Sequence, residues 1–324
     1  MTSALVHLRQ QYTQQWNFTV EREITSRMAV TVAYVGNRTV RLQQGQRRND
    51  PSPGAGAIQA RRPLPQWGAI GLQEWGGKAT YNALQTSFEV RDYQGLTLMG
   101  SYVRSKCLDT GTDDSGAPSL QLIGLNYAPC DFDQLNTASV SFNYAVPIGK
   151  GKRFLATAPA PVNLVLGGWQ LATVFTSKSG LPYTPTIGTD RANTGAGSQR
   201  PNVVGTPFVP KNINCWFYTS SNASCRALFP NAQDVFSVPA QYTIGTSGRN
   251  ILRADTLNQV DLSVMKEIPF TETKRLQFRG EFFNLFNHPV FAAPGTSIDQ
   301  GSGGQVSGTL NSNRIIEFAL KFMF

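Results

Sequence analysis

Long apolar runs are missing from this sequence. A membrane helix needs roughly 18 consecutive apolar residues, and the best stretch, MAVTVAYVG at residues 28–36, falls well short. Helical membrane proteins are thereby excluded. Charged residues are sparse at 15% of the chain, and Leu-rich stretches with helical spacing are absent, which argues against a helical bundle. Histidine is almost missing as well, since His7 and His288 are the only two. The opening MTSALVHLRQQYTQQW lacks the basic, apolar and small-residue regions of a secretory leader, so no signal peptide is expected in it.

What charge there is does not gather. The formal net charge is +9 with a pI near 9.5, but the basic residues are spread over turn-like segments such as QGQRRND, ARRPLP and GKGKRF. They form neither one block nor one helical face with interleaved aromatics, so nucleic acid is not an expected partner.

The pattern that is present has a period of two. Tyr12, Gln14, Trp16, Phe18 and Val20 alternate with Thr13, Gln15, Asn17 and Thr19. After a turn at Thr25, Ser26 and Arg27, Met28, Val30, Val32 and Tyr34 alternate with Ala29, Thr31 and Ala33, which is a hairpin signature. Leu84, Thr86, Phe88 and Val90 follow, and DYQG turns the chain into Leu96, Leu98, Gly100 and Tyr102. Further strands are expected at residues 138–146, 169–175, 260–264, 276–282 and 316–324, making nine. Most run to about eight to thirteen residues, matching the roughly 9–11 that a tilted strand needs to cross a bilayer. Soluble sandwiches more often use about five or six.

Short and long connections alternate. TSR, DYQG, residues 147–165 and PFTETK join one set of strand ends; residues 37–79, 105–135, 179–257 and 287–311 join the other. Outer-membrane barrels have this asymmetry, with short periplasmic turns and long external loops. The expected fold is therefore all-β: an antiparallel transmembrane β-barrel portion.

The chain closes on RIIEFALKFMF, in which Ile316, Phe318, Leu320, Phe322 and Phe324 occupy alternate positions. This ending resembles the last-strand signal that outer-membrane proteins present to the β-barrel assembly machinery. GEFFNLFNHPVF at residues 280–291, preceded by LNQVDLSVMKEIPF and RLQFRGE, is similar to the end of a TonB-dependent receptor barrel. Residues 61–106, RRPLPQWGAIGLQEWGGKATYNALQTSFEVRDYQGLTLMGSYVRSK, resemble the Oar-like subgroup of those receptors.

The resemblance covers essentially the whole chain. It implies a 22-stranded barrel with a plugged lumen, of which residues 1–324 would be a single C-terminal region with plug and signal peptide absent. If the last strand descends to the periplasm, parity brings the first detected strand down too and starts Met1 outside. The expected function is that of the parent: ligand uptake across the bacterial outer membrane, with the TonB complex acting through the missing plug region. Outer-membrane lipid, the assembly machinery and an unknown small ligand are the implied partners, and no cofactor is implied. The alternatives are an outer-membrane adhesin or interaction barrel binding partners through its long loops, and a soluble carbohydrate-binding domain whose apolar faces, such as Trp16, Phe18 and Val20, pack on each other.

Four cysteines fall in two pairs, each local to one long connection. In an oxidising compartment they read as disulfides Cys107 to Cys130 and Cys215 to Cys225, although sequence alone leaves three pairings open; CxxC spacing for a metal is absent. Asp109-Thr110-Gly111 resembles an aspartic-protease loop, but no second such loop supplies the proton-sharing carboxylate. Asp109, Asp113 and Asp114 also lack the spacing and distal Glu of an EF-hand, and an acidic solvated loop is the expectation. With no GxSxG elbow to accompany His288, no enzyme is expected. Glu89, Arg91, Arg279, Glu281, Glu317 and Lys321 fall between the apolar positions and are the candidates for charges facing a polar lumen.

Overall fold

The structure, a computed structural model, describes residues 2–4, 10–111, 123–197, 199–271 and 273–324. His7, Asp113 and Asp114 lie outside the described residues. Nine long strands dominate: β1 (Tyr12–Thr25), β2 (Met28–Arg48), β3 (Ile70–Tyr93), β4 (Leu96–Asp109), β5 (Asn136–Ala145), β6 (Trp169–Lys178), β7 (Leu257–Pro269), β8 (Arg275–Phe283) and β9 (Ile315–Met323). They lie side by side in chain order, each antiparallel to the next. Thr2–Ala4 runs parallel to the start of β3, and Ala128–Pro129 pairs with the end of β4. Among the described residues β1 and β9 do not pair with each other, so the sheet stays open.

Because side chains alternate along a strand, residues paired across neighbouring strands share a face. The register therefore carries each strand's alternation across the sheet. One cross-strand row reads Arg22, Val30, Phe88, Gly100, Val140, Phe175 and Val260, apolar but for the arginine at its β1 end. The row one residue along, on the opposite face, reads Glu21, Thr31, Ser87, Ser101, Ser139, Thr176 and Gln259. The apolar face continues at the far end through Leu262, Phe282 and Ile316, and through Val264, Gly280 and Phe318.

That apolar face is open. Phe18 and Phe318 are each 69% exposed, and Trp16 and Val20 are exposed beside them. This corrects the soluble alternative, because the apolar side chains do not pack on each other. On β2 the belt occupies residues 28–36, about 27 Å along the strand and roughly 20 Å at a tilt near 40°, close to the apolar band of an outer-membrane barrel. Arg38 lies on the same face beyond its upper margin, and Arg104 stands in the row of Tyr34 and Leu84 at that margin. Tyr34 and Tyr102 stand at that margin, donating hydrogen bonds to Asn82 Oδ1 and Asn136 Oδ1, each 2.7 Å long. Aromatic rings with a polar tip suit such an interface.

The short connections lie at one end. Ser26 and Arg27 join β1 to β2, and Gln94 and Gly95 join β3 to β4. Gly95 has φ +83°, and a Cβ there would stand 2.9 Å from Ala145 O, so the turn needs a glycine twice over. The third connection holds α1 (Ala160–Leu166), a short helix with proline in its first turn.

The opposite end differs from the expectation. Residues 37–79 were expected to form one long loop, yet β2 and β3 stay paired up to Arg48 and Ile70. Outside a membrane both faces are wet, so pairing continues without an apolar stripe, held by the ladder and by pairs such as Arg48 Nη2 to Glu74 Oε2 at 2.7 Å. The buried core also lies here. Segments from residues 179–256 and 284–314 pack Tyr183, Ile187, Trp216, Phe217, Leu252 and Ile298 into one cluster. Phe217 and Phe236 meet in a T-shaped contact, 6.0 Å between ring centroids.

Candidate functional site

The polar face of the sheet bears a trough of about 410 Å³ running across β4 to β8. Its lining includes Met99, Ser141, Val174, Asp261, Ser263 and Glu281, all from the polar-face set. Small hydroxyl side chains leave the room, and the two carboxylates make the wall acidic.

The six charges singled out from the sequence all stand on this polar face. Glu89 and Arg91 pair with each other on β3 at 2.7 Å. Arg279 and Glu281 lie 3.5 Å apart on β8, Glu317 is directly opposite Glu281, and Lys321 is opposite Gln277. The last four thus form one cluster on β8 and β9, while Glu89 and Arg91 stand apart on β3. Asp261 was missed, although its alternate position in LNQVDLSVMKE is the signal that finds it. Its carboxylate accepts from Gln259 Nε2 at 3.1 Å and from Asn284 N at 2.8 Å.

Asn284 explains the NLFN run. Asn284 and Asn287 have φ of 49° and 51°, left-handed values that asparagine tolerates better than most residues. Asn284 Nδ2 donates to His288 O and Ser312 O, its Oδ1 accepts from His288 N, and Asn287 Oδ1 accepts from Arg314 N. The run thereby turns the chain out of β8 and ties it to the start of β9. His288 takes part through its backbone.

Above the belt the loops form a cap. Disulfides join Cys107 to Cys130 and Cys215 to Cys225, with Cα separations of 5.5 and 5.0 Å. The second pins α2 (Ala223–Leu228), whose Asn222 caps Ser224 N and Cys225 N. Asp109 is not in a solvated acidic loop: it is buried and paired with Arg249, which also reaches Asp131 at 2.8 Å. A carboxylate left unpaired at such depth is costly, so the cap supplies a cation. Arg253 likewise meets Asp133 at 2.5 Å.

Arg200, 6% exposed, donates to Leu125 O and Ser247 O and meets Asn126 Oδ1. Burial, with the nearby Arg249 charge, pushes its pKa down to about 10. It remains a cation at neutral pH. Arg47 ties the β2–β3 ribbon to the cap, pairing with Asp50 at 2.9 Å and donating to Gly195 O at 2.7 Å. Among the described residues no three His, Cys, Asp or Glu side chains converge as a metal site.

A sheet with an open apolar face of bilayer height, a trough with two carboxylates on the face behind it and a disulfide-pinned cap at one rim is the wall of an outer-membrane β-barrel. The family described as outer membrane beta barrel domain matches residues 1–317, and the chain belongs to that family. No curated protein matches it.

Among solved structures, the outer membrane transporter YddB from Escherichia coli is similar with a TM-score of 0.50 and 10% identity, over 100% of this chain and 34% of that one. The ferric-catecholate import receptor Fiu from E. coli K12 gives 0.47 and 9%, over 98% and 28%. BauA, the ferric preacinetobactin receptor from Acinetobacter baumannii, gives 0.45 and 11%, over 96% and 29%. At such identities the likeness is one of fold, and the chain spans about a third of the length of YddB. The protein is a bacterial outer-membrane β-barrel protein.

Proposed function

We propose that residues 1–324 form the C-terminal barrel wall of an Oar-like, TonB-dependent outer-membrane transporter, whose intact form takes up a small ligand. The observation that supports this reading most is the register: it aligns the alternation of nine strands so that one face is mainly apolar, interrupted by Arg22 and Lys266 towards the short-turn rim, and the other carries most of the polar side chains. Such a wall lines an aqueous lumen on its polar side. In this reading the cap presents the external binding surface, and Glu89, Arg91, Arg279, Glu281, Glu317 and Lys321 face the lumen and the plug. Ile316, Phe318, Leu320, Phe322 and Phe324 display the signal for barrel assembly, and TonB acts on a plug outside residues 1–324. The chain is a conduit wall and not an enzyme, a reading supported by Asp109 being held in an ion pair.

The gene tests the proposal. An in-frame plug and the remaining strands upstream of Met1, with uptake lost when TonB is removed, are the expected result. A stop codon with a separate promoter upstream, or uptake indifferent to TonB, overturns it and favours an interaction barrel.

A further inference from the structure

The connection between β5 and β6 is far longer than the two-residue turns beside it, and its helix is inside out. In α1 the inward side chain is polar: Asn163 is half-buried, and its Oδ1 accepts from Lys150 N at 2.7 Å. The outward side chains are aliphatic. Val165 is 63% exposed and Leu164 53%, with Val162 and Leu166 exposed beside them. A helix resting in water on a soluble surface shows the opposite arrangement.

Its position is set by two residues of the apolar face. Trp169 and Lys266 are cross-strand partners at the short-turn rim. Trp169 Nε1 donates to Val165 O at 3.0 Å, and Lys266 Nζ donates to Val165 O and Gly167 O at 3.2 and 2.5 Å. The ammonium also sits 4.8 Å from the centre of the Trp169 ring. The C-terminal end of α1 therefore covers the lipid-facing side of the wall and leaves Lys266 only 8% exposed. A lysine facing lipid is costly, and here the helix-end carbonyls satisfy it.

Basic residues complete the arrangement. Lys150 and Lys152 line a groove of about 680 Å³ between the connection and the end of β7, together with Glu267, whose carboxylate is paired with Arg275 at 3.8 Å. Arg153 lies over the ring of the exposed Phe154 at 5.4 Å. Exposed aliphatic side chains, an aromatic at the rim and nearby cations are the composition of an interfacial membrane segment.

We infer that the β5–β6 connection is a lipid anchor: α1 lies in the inner leaflet of the outer membrane as a continuation of the apolar belt, with Lys150 and Lys152 on phospholipid phosphates. The occupant is phospholipid, because the surface is continuous with the belt and its charge complements an anionic headgroup. The inference rests on the apolar face being the lipid face.

The test uses the full chain in vesicles of phosphatidylethanolamine and phosphatidylglycerol carrying a photoactivatable diazirine lipid, with adducts mapped by mass spectrometry. Adducts on residues 154–166 together with the outward residues of β3 and β5 are expected. Labelled strands with an unlabelled 154–166 overturn the anchor alone, whereas labelling of neither overturns the lipid face as well. In a Lys150→Gln, Lys152→Gln variant, adducts from an anionic probe lipid on the connection fall by about threefold while those on the strands hold. An unchanged yield overturns the headgroup contact.

Discussion

Arg249 and Asp109, 140 positions apart in sequence, form a buried ion pair where the 179–256 segment crosses the end of β4. The same guanidinium holds Asp131, beside the Cys107–Cys130 bridge. One side chain thereby fastens two external loops. Removing it as Arg249→Met leaves Asp109 buried with a partner lost, a change that costs about 3–5 kcal/mol. The loss is confined to the cap: protease cleavage within residues 179–256 accelerates, while the strand signal in circular dichroism persists.

Reduction of the disulfides has a related but separable effect. The two bridges close segments of 10 and 23 residues, and constraints of that size contribute about 3 kcal/mol each. Reductant is expected to loosen the cap, exposing Trp216 and Phe217 and shifting tryptophan emission to the red, without changing the sheet. Cys215→Ser with Cys225→Ser reproduces the larger part of the emission shift, since that bridge borders the buried aromatic cluster.

The two faces of β9 differ in what they accept. Leu320→Arg places a charge on the apolar face, a change that costs about 2–4 kcal/mol at mid-depth and less towards the rim. Lys321→Ala, one residue along on the polar face, changes stability by less than about 1 kcal/mol. Urea titrations of the chain refolded in lipid vesicles measure the difference, and equal costs overturn the assignment of faces.

Asn284 combines a left-handed backbone with side-chain bonds to His288 and Ser312 at a buried site. Asn284→Gly keeps the backbone and loses the bonds; Asn284→Ala loses both. Alanine is therefore expected to cost more than glycine, by roughly 1 kcal/mol or more. Thermal unfolding of the two variants checks the order.

The strands were legible because a membrane imposes a rule on every second residue. Wherever a strand has lipid on one side and water on the other, as from Met28 to Tyr34 or from Ile316 to Phe322, alternation marks both the strand and its faces. The upper parts of β2 and β3 follow no such rule, since QQGQRR is wet on both sides, and their pairing is invisible to periodicity. Asp261 was legible by its alternate position, and Asp109 misled because an ion pair formed across 140 positions leaves no local trace. α1 escaped for its own reason: APVNLVL is too short for a helical period to register.

By itself, the sequence determined that nine strands form, which side chains share a face of each, and which cysteines belong to which connection, since these follow from periodicity and spacing along one chain. Only the tertiary structure decided the register that aligns those faces into one wall, the packing of adjacent Trp216 and Phe217 into a cap core, and the seat of α1 over Lys266. Those depend on contacts between segments far apart in sequence, where pairing geometry and burial, not local pattern, set the energy.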